Sequence, residues 1–169
     1  MRHRRSVIAN LIVSMLLIVF LGSCGYYSFK EALPSHLKSI AIPLFNDKSG
    51  YPDIREKVTD ALIESFVEDN TLLVVDNSKA DLIISGTVQS IQKKALAVKP
   101  GETVAEYNLN VILKVSCEDV RTSKKLYDKS FVKHGILSGS GGQQEVDQAI
   151  DEAVAQLTED ILNTTLGGW

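Results

Sequence analysis

Residues 103–118 read Thr-Val-Ala-Glu-Tyr-Asn-Leu-Asn-Val-Ile-Leu-Lys-Val-Ser-Cys-Glu, and this stretch decides the fold. Tyr107, Leu109, Val111, Leu113, Val115 and Cys117 alternate with Asn108, Asn110, Ile112, Lys114 and Ser116. Side chains of an extended chain point to opposite faces in turn, so a period of two predicts a strand with one buried and one wetter face. Upstream, residues 82 to about 91 predict a neighbouring strand with Leu82, Ile84 and Val88 on one face. Gly86 interrupts that face and marks a bulge or a close backbone approach. Residues 92–102 then form a connection that holds Lys93, Lys94, Lys99 and Pro100-Gly101. Downstream, residues 119–124 turn the chain, 126–132 make a less regular strand, and 135–142 are a Gly/Ser-rich loop.

Two helices flank these strands. Asp53-Ile-Arg-Glu56 has the spacing of a capping box. Ile54, Val58, Ala61, Leu62, Ser65 and Phe66 follow at helical spacing, and Asn70 suits a left-handed stop, so the helix is placed at 54–69. Val146, Ile150, Ala153, Leu157 and Ile161 predict a second helix over about 143–163, with Glu145, Asp147, Asp151, Glu152, Glu159 and Asp160 on its solvated face and Ser140 with Gln143 as a candidate cap. Residues 39–45 form a short first strand in which Pro43, lacking an N–H, demands an edge or a bulge. Residues 71–75 form another, and 46–50 and 76–79 are turns. The order strand, helix, four strands, helix gives an α+β fold. It is a two-layer α/β sandwich, a four- to five-stranded mixed sheet with two helices packed on one face.

The N-terminus carries a different signal. Arg2-His-Arg-Arg5 is cationic, residues 7–21 are apolar apart from Asn10 and Ser14, and Leu21-Gly-Ser-Cys24 follows. This is the layout of a secretory signal peptide, and the apolar run is short for a span of about 20 residues. Leu-small-small-Cys resembles the lipobox of bacterial lipoprotein precursors. That resemblance implies a leader 1–23 that is removed, lipidation of Cys24, a tether over 24–37 and a domain over 38–169. The competing reading is an uncleaved single-span anchor. By analogy with the sorting of enteric lipoproteins, Gly25 rather than Asp after Cys24 implies the outer membrane. Two or more acyl chains anchor stably where one does not.

The full chain has formal net charge −3. Loss of Arg2, Arg4 and Arg5 with the leader leaves 15 basic and 21 acidic residues, net −6. That balance argues against a protein that coats nucleic acid. Cys117 lies on the apolar face of the central strand and reads as a small buried hydrophobe; if Cys24 is not lipidated, a bridge between the two remains open. His36 and His134 each stand alone in the sequence, and no His/Cys/carboxylate cluster has metal spacing. Gly139-Ser-Gly-Gly142 lacks the Gly-Lys-[Ser/Thr] ending of a phosphate-binding loop. No catalytic residue, metal or cofactor is expected. Lys93, Lys94 and Lys99 are the one candidate binding cluster, a cationic hairpin tip suited to phosphate or carboxylate groups of an anionic glycolipid; the competing reading is an ordinary solvated turn.

Several segments together resemble the LptE family of lipopolysaccharide-assembly lipoproteins. They are Cys24-Gly-Tyr-Tyr-Ser-Phe29, residues 33–46 from Leu33-Pro-Ser-His to Pro43-Leu-Phe-Asn46, Thr59-Asp-Ala-Leu-Ile-Glu-Ser-Phe-Val67, Ala80-Asp-Leu-Ile-Ile-Ser-Gly-Thr-Val88, Leu157-Thr-Glu-Asp-Ile161 and Gly168-Trp169. The resemblance implies a non-enzymatic protein that plugs the lumen of the outer-membrane β-barrel LptD and contacts lipopolysaccharide. Its basic residues near a loop tip match Lys93 and Lys94. The alternative is a lipoprotein activator of a peptidoglycan synthase. Against it, only about a dozen residues separate Cys24 from the first strand, too few for a long reach across the periplasm.

Overall fold

The computed structural model describes residues 33–95, 106–138 and 142–167. In chain order the elements are β1 (Ser39–Ala41), β2 (Asn46–Asp47), α1 (Ile54–Asp69), β3 (Leu73–Val74), a 3-10 turn (Asn77–Lys79), β4 (Leu82–Ala95), β5 (Glu106–Asp119), β6 (Lys124–Ser138) and α2 (Gln143–Gly167). They form an open six-stranded mixed sheet in the order β3-β1-β4-β5-β6, with β2 pairing against β4 beyond β1. The α+β class and the placement of two helices on one face agree with the sequence reading. The sixth strand is the addition.

That strand exists because Pro43 interrupts β1. Ile40 and Ala41 pair in parallel with Leu82 and Ile83, and the chain then pairs again, with Asn46 and Asp47 against Thr87 and Val88. A proline cannot donate to a ladder, so the ladder stops and restarts. Between the two pieces Phe45 dives into the core, 1% exposed. Its ring lies on Gly86, where a Cβ would sit 2.2 Å from the ring edge. Of the two readings of Gly86, close approach is therefore the one observed. The β4 bulge falls three residues later, between Val88 and Ser90.

β4, β5 and β6 are long antiparallel partners. Val115 faces Gly86, Leu113 faces both Val88 and Phe131, and Leu109 faces Gly135. Leu109, Val111, Leu113, Val115 and Cys117 are all buried, as their alternation requires. They pack beneath Val58, Leu62 and Phe66 of α1 and Ile150, Val154, Leu157 and Ile161 of α2.

α1 has the expected bounds, and Asn70 takes the left-handed conformation (φ 55°) that ends it. The expected capping box is absent. Asp53 itself is left-handed (φ 55°), and its carboxylate makes no cap hydrogen bond. A cap side chain reaches the next amides from extended backbone, which Asp53 does not have. At α2 the reciprocal half of such a box does form, with Gly142 N–H donating to Glu145 Oε2 at 3.2 Å. Ser140, the residue expected there, lies outside the described residues.

Several boundaries differ from the sequence reading: β1 stops at Ala41, β6 begins at Lys124 and α2 runs on to Gly167, and two further extensions have a clear physical reason. β4 continues through Lys93, Lys94 and Ala95, because β5 offers Leu109, Asn108 and Tyr107 as register partners and pairing outweighs weak strand propensity. β6 runs on through Gly135-Ile-Leu-Ser138, which the composition marked as loop. Gly135 is there for packing. The α2 backbone lies so close that a Cβ would be 1.8 Å from the Ala149 carbonyl oxygen.

Candidate functional site

The lysine cluster is only partly within view. Lys99 and Cys24 lie outside the described residues. Lys93 and Lys94 are the last turns of the pleat in β4, so they point to opposite faces of the sheet. Lys93 is in register with buried Leu109, and its ammonium sits 3.9 Å from the Tyr107 ring centroid, a cation–π contact on the helix side. Lys94 is in register with Asn108 on the other, uncovered side. A single two-lysine clamp is therefore not formed by these residues; each serves a different surface.

The two histidines also separate. His36 Nε2 lies 2.9 Å from Asp119 Oδ2 at the end of β5. Asp119 is 4% exposed and its Oδ1 accepts from the Arg121 and Thr122 amides. The His36 hydrogen bond, helped by these amides, holds the carboxyl down to about 2 against the cost of burial. Beside it, Asp81 Oδ2 accepts from the Lys38 and Ser39 amides and the Ser39 hydroxyl, which lowers its pKa as well. Two carboxylates thus bolt residues 36–39 to the ends of β4 and β5. Sequence spacing gave no sign of this, since the partners are 42 and 83 residues apart. His134 is exposed on β6, facing Asn110.

Cys117 is fully buried, and burial pushes its thiol up to about 12. Among the described residues, no group of three His, Cys, Asp or Glu side chains could hold a metal ion. The acidic residues of α2 are not merely solvated. Asp147 accepts from the Tyr51 hydroxyl at 2.5 Å, Asp151 pairs with Lys57, and Asp160 lies 2.7 Å from Lys133. These contacts join α2 to the α1 region on one side and to β6 on the other.

The most distinctive surface is the sheet face opposite the helices, which no described element covers. Its side chains by register are those of Ser85, Thr87, Asn110, Ser116 and Ser130, with Ile112, Val132 and Ile136 among them. Val132 and Ile136 are each 53% exposed. A shallow cleft of about 170 Å³ in this face is lined by Asn46, Ser85, Thr87, Lys114, Ser116 and Asp128. Such a face offers hydroxyls, amides, the imidazole of His134, a few charged groups and a small apolar patch.

An open mixed sheet with two helices on one face, a polar opposite face and a chain bolted on at its start defines a small α+β domain. Solved structures share this fold. A protein from Xanthomonas campestris is 12% identical, with TM-score 0.61 over 80% of this chain and 88% of its own. A hypothetical protein from Chlamydia trachomatis is also 12% identical, with TM-score 0.59 over 78% and 96%. Rare lipoprotein B from Shewanella oneidensis is 14% identical, with TM-score 0.50 over 74% and 92%. No curated protein matches the chain. The family model of LptE, lipopolysaccharide-assembly, matches residues 37–165, and the chain belongs to that family.

Proposed function

We propose that this protein is an outer-membrane lipoprotein, held at the periplasmic face by acyl chains on Cys24, that binds and plugs the LptD β-barrel and assists lipopolysaccharide assembly without catalysing a reaction. The family match over residues 37–165 carries this reading. The leader 1–23, the tether 24–37 and the domain 38–169 are its parts. A barrel lumen is lined with polar side chains. A domain with a closed apolar core, helices studded with carboxylates and a sheet face of hydroxyls and amides suits such a lumen. The acyl chains raise its effective concentration beside the barrel. In this reading Lys93, Lys94 and Lys99 meet phosphates of lipopolysaccharide, Lys94 from the uncovered face and Lys93 from the helix side. The reading as activator of a peptidoglycan synthase has no comparable support.

Depletion tests it. Loss of the protein should reduce the amount of correctly assembled LptD and of surface lipopolysaccharide. Normal levels of both after depletion contradict the reading.

A further inference from the structure

We infer that the outer edge of β3 accepts a strand from another polypeptide, an extended segment in which basic and apolar residues alternate. The inference stands independently of the barrel-binding reading.

Three observations carry it. The first is the direction of the free backbone. β3 ends the sheet on one side and pairs in parallel with β1. The Leu73 amide donates to the Lys38 carbonyl and the Val75 amide to the Ile40 carbonyl, both at 2.9 Å. Alternate residues of a strand turn their N–H and C=O to opposite edges, so those of Val74 point away from the sheet, where a further strand would pair with them. The second is the contrast between the two margins. Exposed edges are ordinarily blunted by lysines, prolines or a covering element. β6 is blunted in this way: Lys124, Lys125, Lys129 and Lys133 lie along it, and α2 side chains engage the Ile136 amide and the His134 carbonyl. On β3 the run Thr71-Leu-Leu-Val-Val75 carries neither charge nor proline, and Leu73 is 65% exposed. The third is the groove beside the edge. Ile42, Ile63 of α1, Val74, Val75 and Asp76 line an open groove of about 800 Å³. Val67, one helical turn past Ile63, extends its apolar wall and is 59% exposed. In strand addition the main chain supplies affinity and such a groove selects alternate side chains.

Charge selects the occupant. Asp60 and Glu64 lie three residues before Ile63 and Val67, the spacing of neighbours on a helix, and Asp76 lines the groove. None of the three is in an ion pair among the described residues. Lys38 and Lys79 are placed beside Ser39, at the other end of β1 from the groove. Basic residues of an added strand therefore find partners here. A second copy of the chain fits poorly. Pairing β3 with itself would oppose two α1 helices, each with five acidic and two basic residues. A strand of two residues also buries far less than the roughly 1,200 Å² of a stable interface.

The test is hydrogen exchange of the full lipoprotein in neutral detergent, resolved to single amides by mass spectrometry. The probe is a capped peptide of alternating Lys and Val, about seven residues long. At saturation it should slow exchange of the Val74 amide roughly tenfold. A peptide of alternating Glu and Val should leave that amide unchanged. Val67→Lys should weaken the Lys/Val peptide roughly tenfold with an unchanged melting curve, because it puts a like charge on the apolar wall. Val132→Lys, on the opposite face of the sheet, should bind the peptide as wild type does. Equal protection by both peptides, protection confined to other strands, or no protection overturns the inference. A Val74 amide that is already slow without peptide and speeds up on dilution identifies a second copy as the occupant, and overturns it too.

Discussion

Gly135→Ala is the sharpest perturbation of the fold. The added methyl would lie 1.8 Å from the Ala149 carbonyl oxygen, 2.5 Å from its carbonyl carbon and 2.6 Å from its Cα. Non-bonded heavy atoms rest at about 3.5–4.0 Å, so the helix backbone must retreat by roughly 1.5 Å. Nothing there is a flexible side chain that could swing aside. Ala149, Ile150, Ala153 and Leu157, all buried, sit on this stretch of α2, and a retreat would part them from β5 and β6. Overpacking a well-packed core costs about 1–3 kcal/mol, and a backbone-on-backbone clash belongs at the upper end. At about 3–5 °C per kcal/mol for a domain of this size, the melting temperature should fall by roughly 10–15 °C. Thermal unfolding of the full chain in detergent, followed by far-UV circular dichroism, reads this directly. Gly86→Ala is the internal comparison. Its methyl would meet the Phe45 ring at 2.2 Å, and a ring can turn, so the loss should be smaller. A Gly135→Ala protein melting within about 2 °C of wild type, against the shift expected from the clash, refutes the packing argument.

Asp119→Asn should cost about 2 kcal/mol near neutral pH, because the folded carboxyl is held down to about 2 from an ordinary value near 3.8. A depressed carboxyl stabilises above its unfolded pKa and loses that contribution as pH falls through the folded one. Wild type and variant should therefore converge between about pH 4 and pH 2 in denaturant titrations, and a gap that persists at pH 2 contradicts the assignment. Cys117, fully buried with its thiol pushed up to about 12, should resist alkylation at neutral pH in the native protein and react on unfolding, as read by mass spectrometry. Changing Lys93, Lys94 and Lys99 to Glu should weaken lipopolysaccharide binding at least several-fold while the domain still folds, with only the small loss expected from the Lys93–Tyr107 contact; unchanged affinity removes the tip from the mechanism.

Much of the architecture was written in periodic residues. The alternation from Tyr107 to Cys117 is a strong local signal, because one slip would turn every apolar side chain to water. The stripe from Ile54 to Phe66, closed by Asn70, placed α1 to the residue. What escaped depends on contacts between distant segments. Gly135 and Ser138 look like loop residues until α2 is laid across β6. Lys93 and Lys94 look like a joint tip until the bulge between Val88 and Ser90 and the long pairing with β5 assign them to opposite faces. Asp53 has the right spacing for a cap and the wrong backbone conformation for one. The His36–Asp119 contact crosses 83 residues and leaves no local trace. The uncovered face was legible as the wetter half of the β5 alternation. Its apolar patch needed Val132 and Ile136 of β6 brought into register beside Ile112 and Asn108.

The most direct measurement is affinity purification of the full lipoprotein from detergent-solubilised outer membrane, with its partners identified by mass spectrometry. The account predicts LptD as the dominant partner, in near-equal amount. Recovery of the lipoprotein free of the barrel, or tied instead to a peptidoglycan synthase, contradicts it.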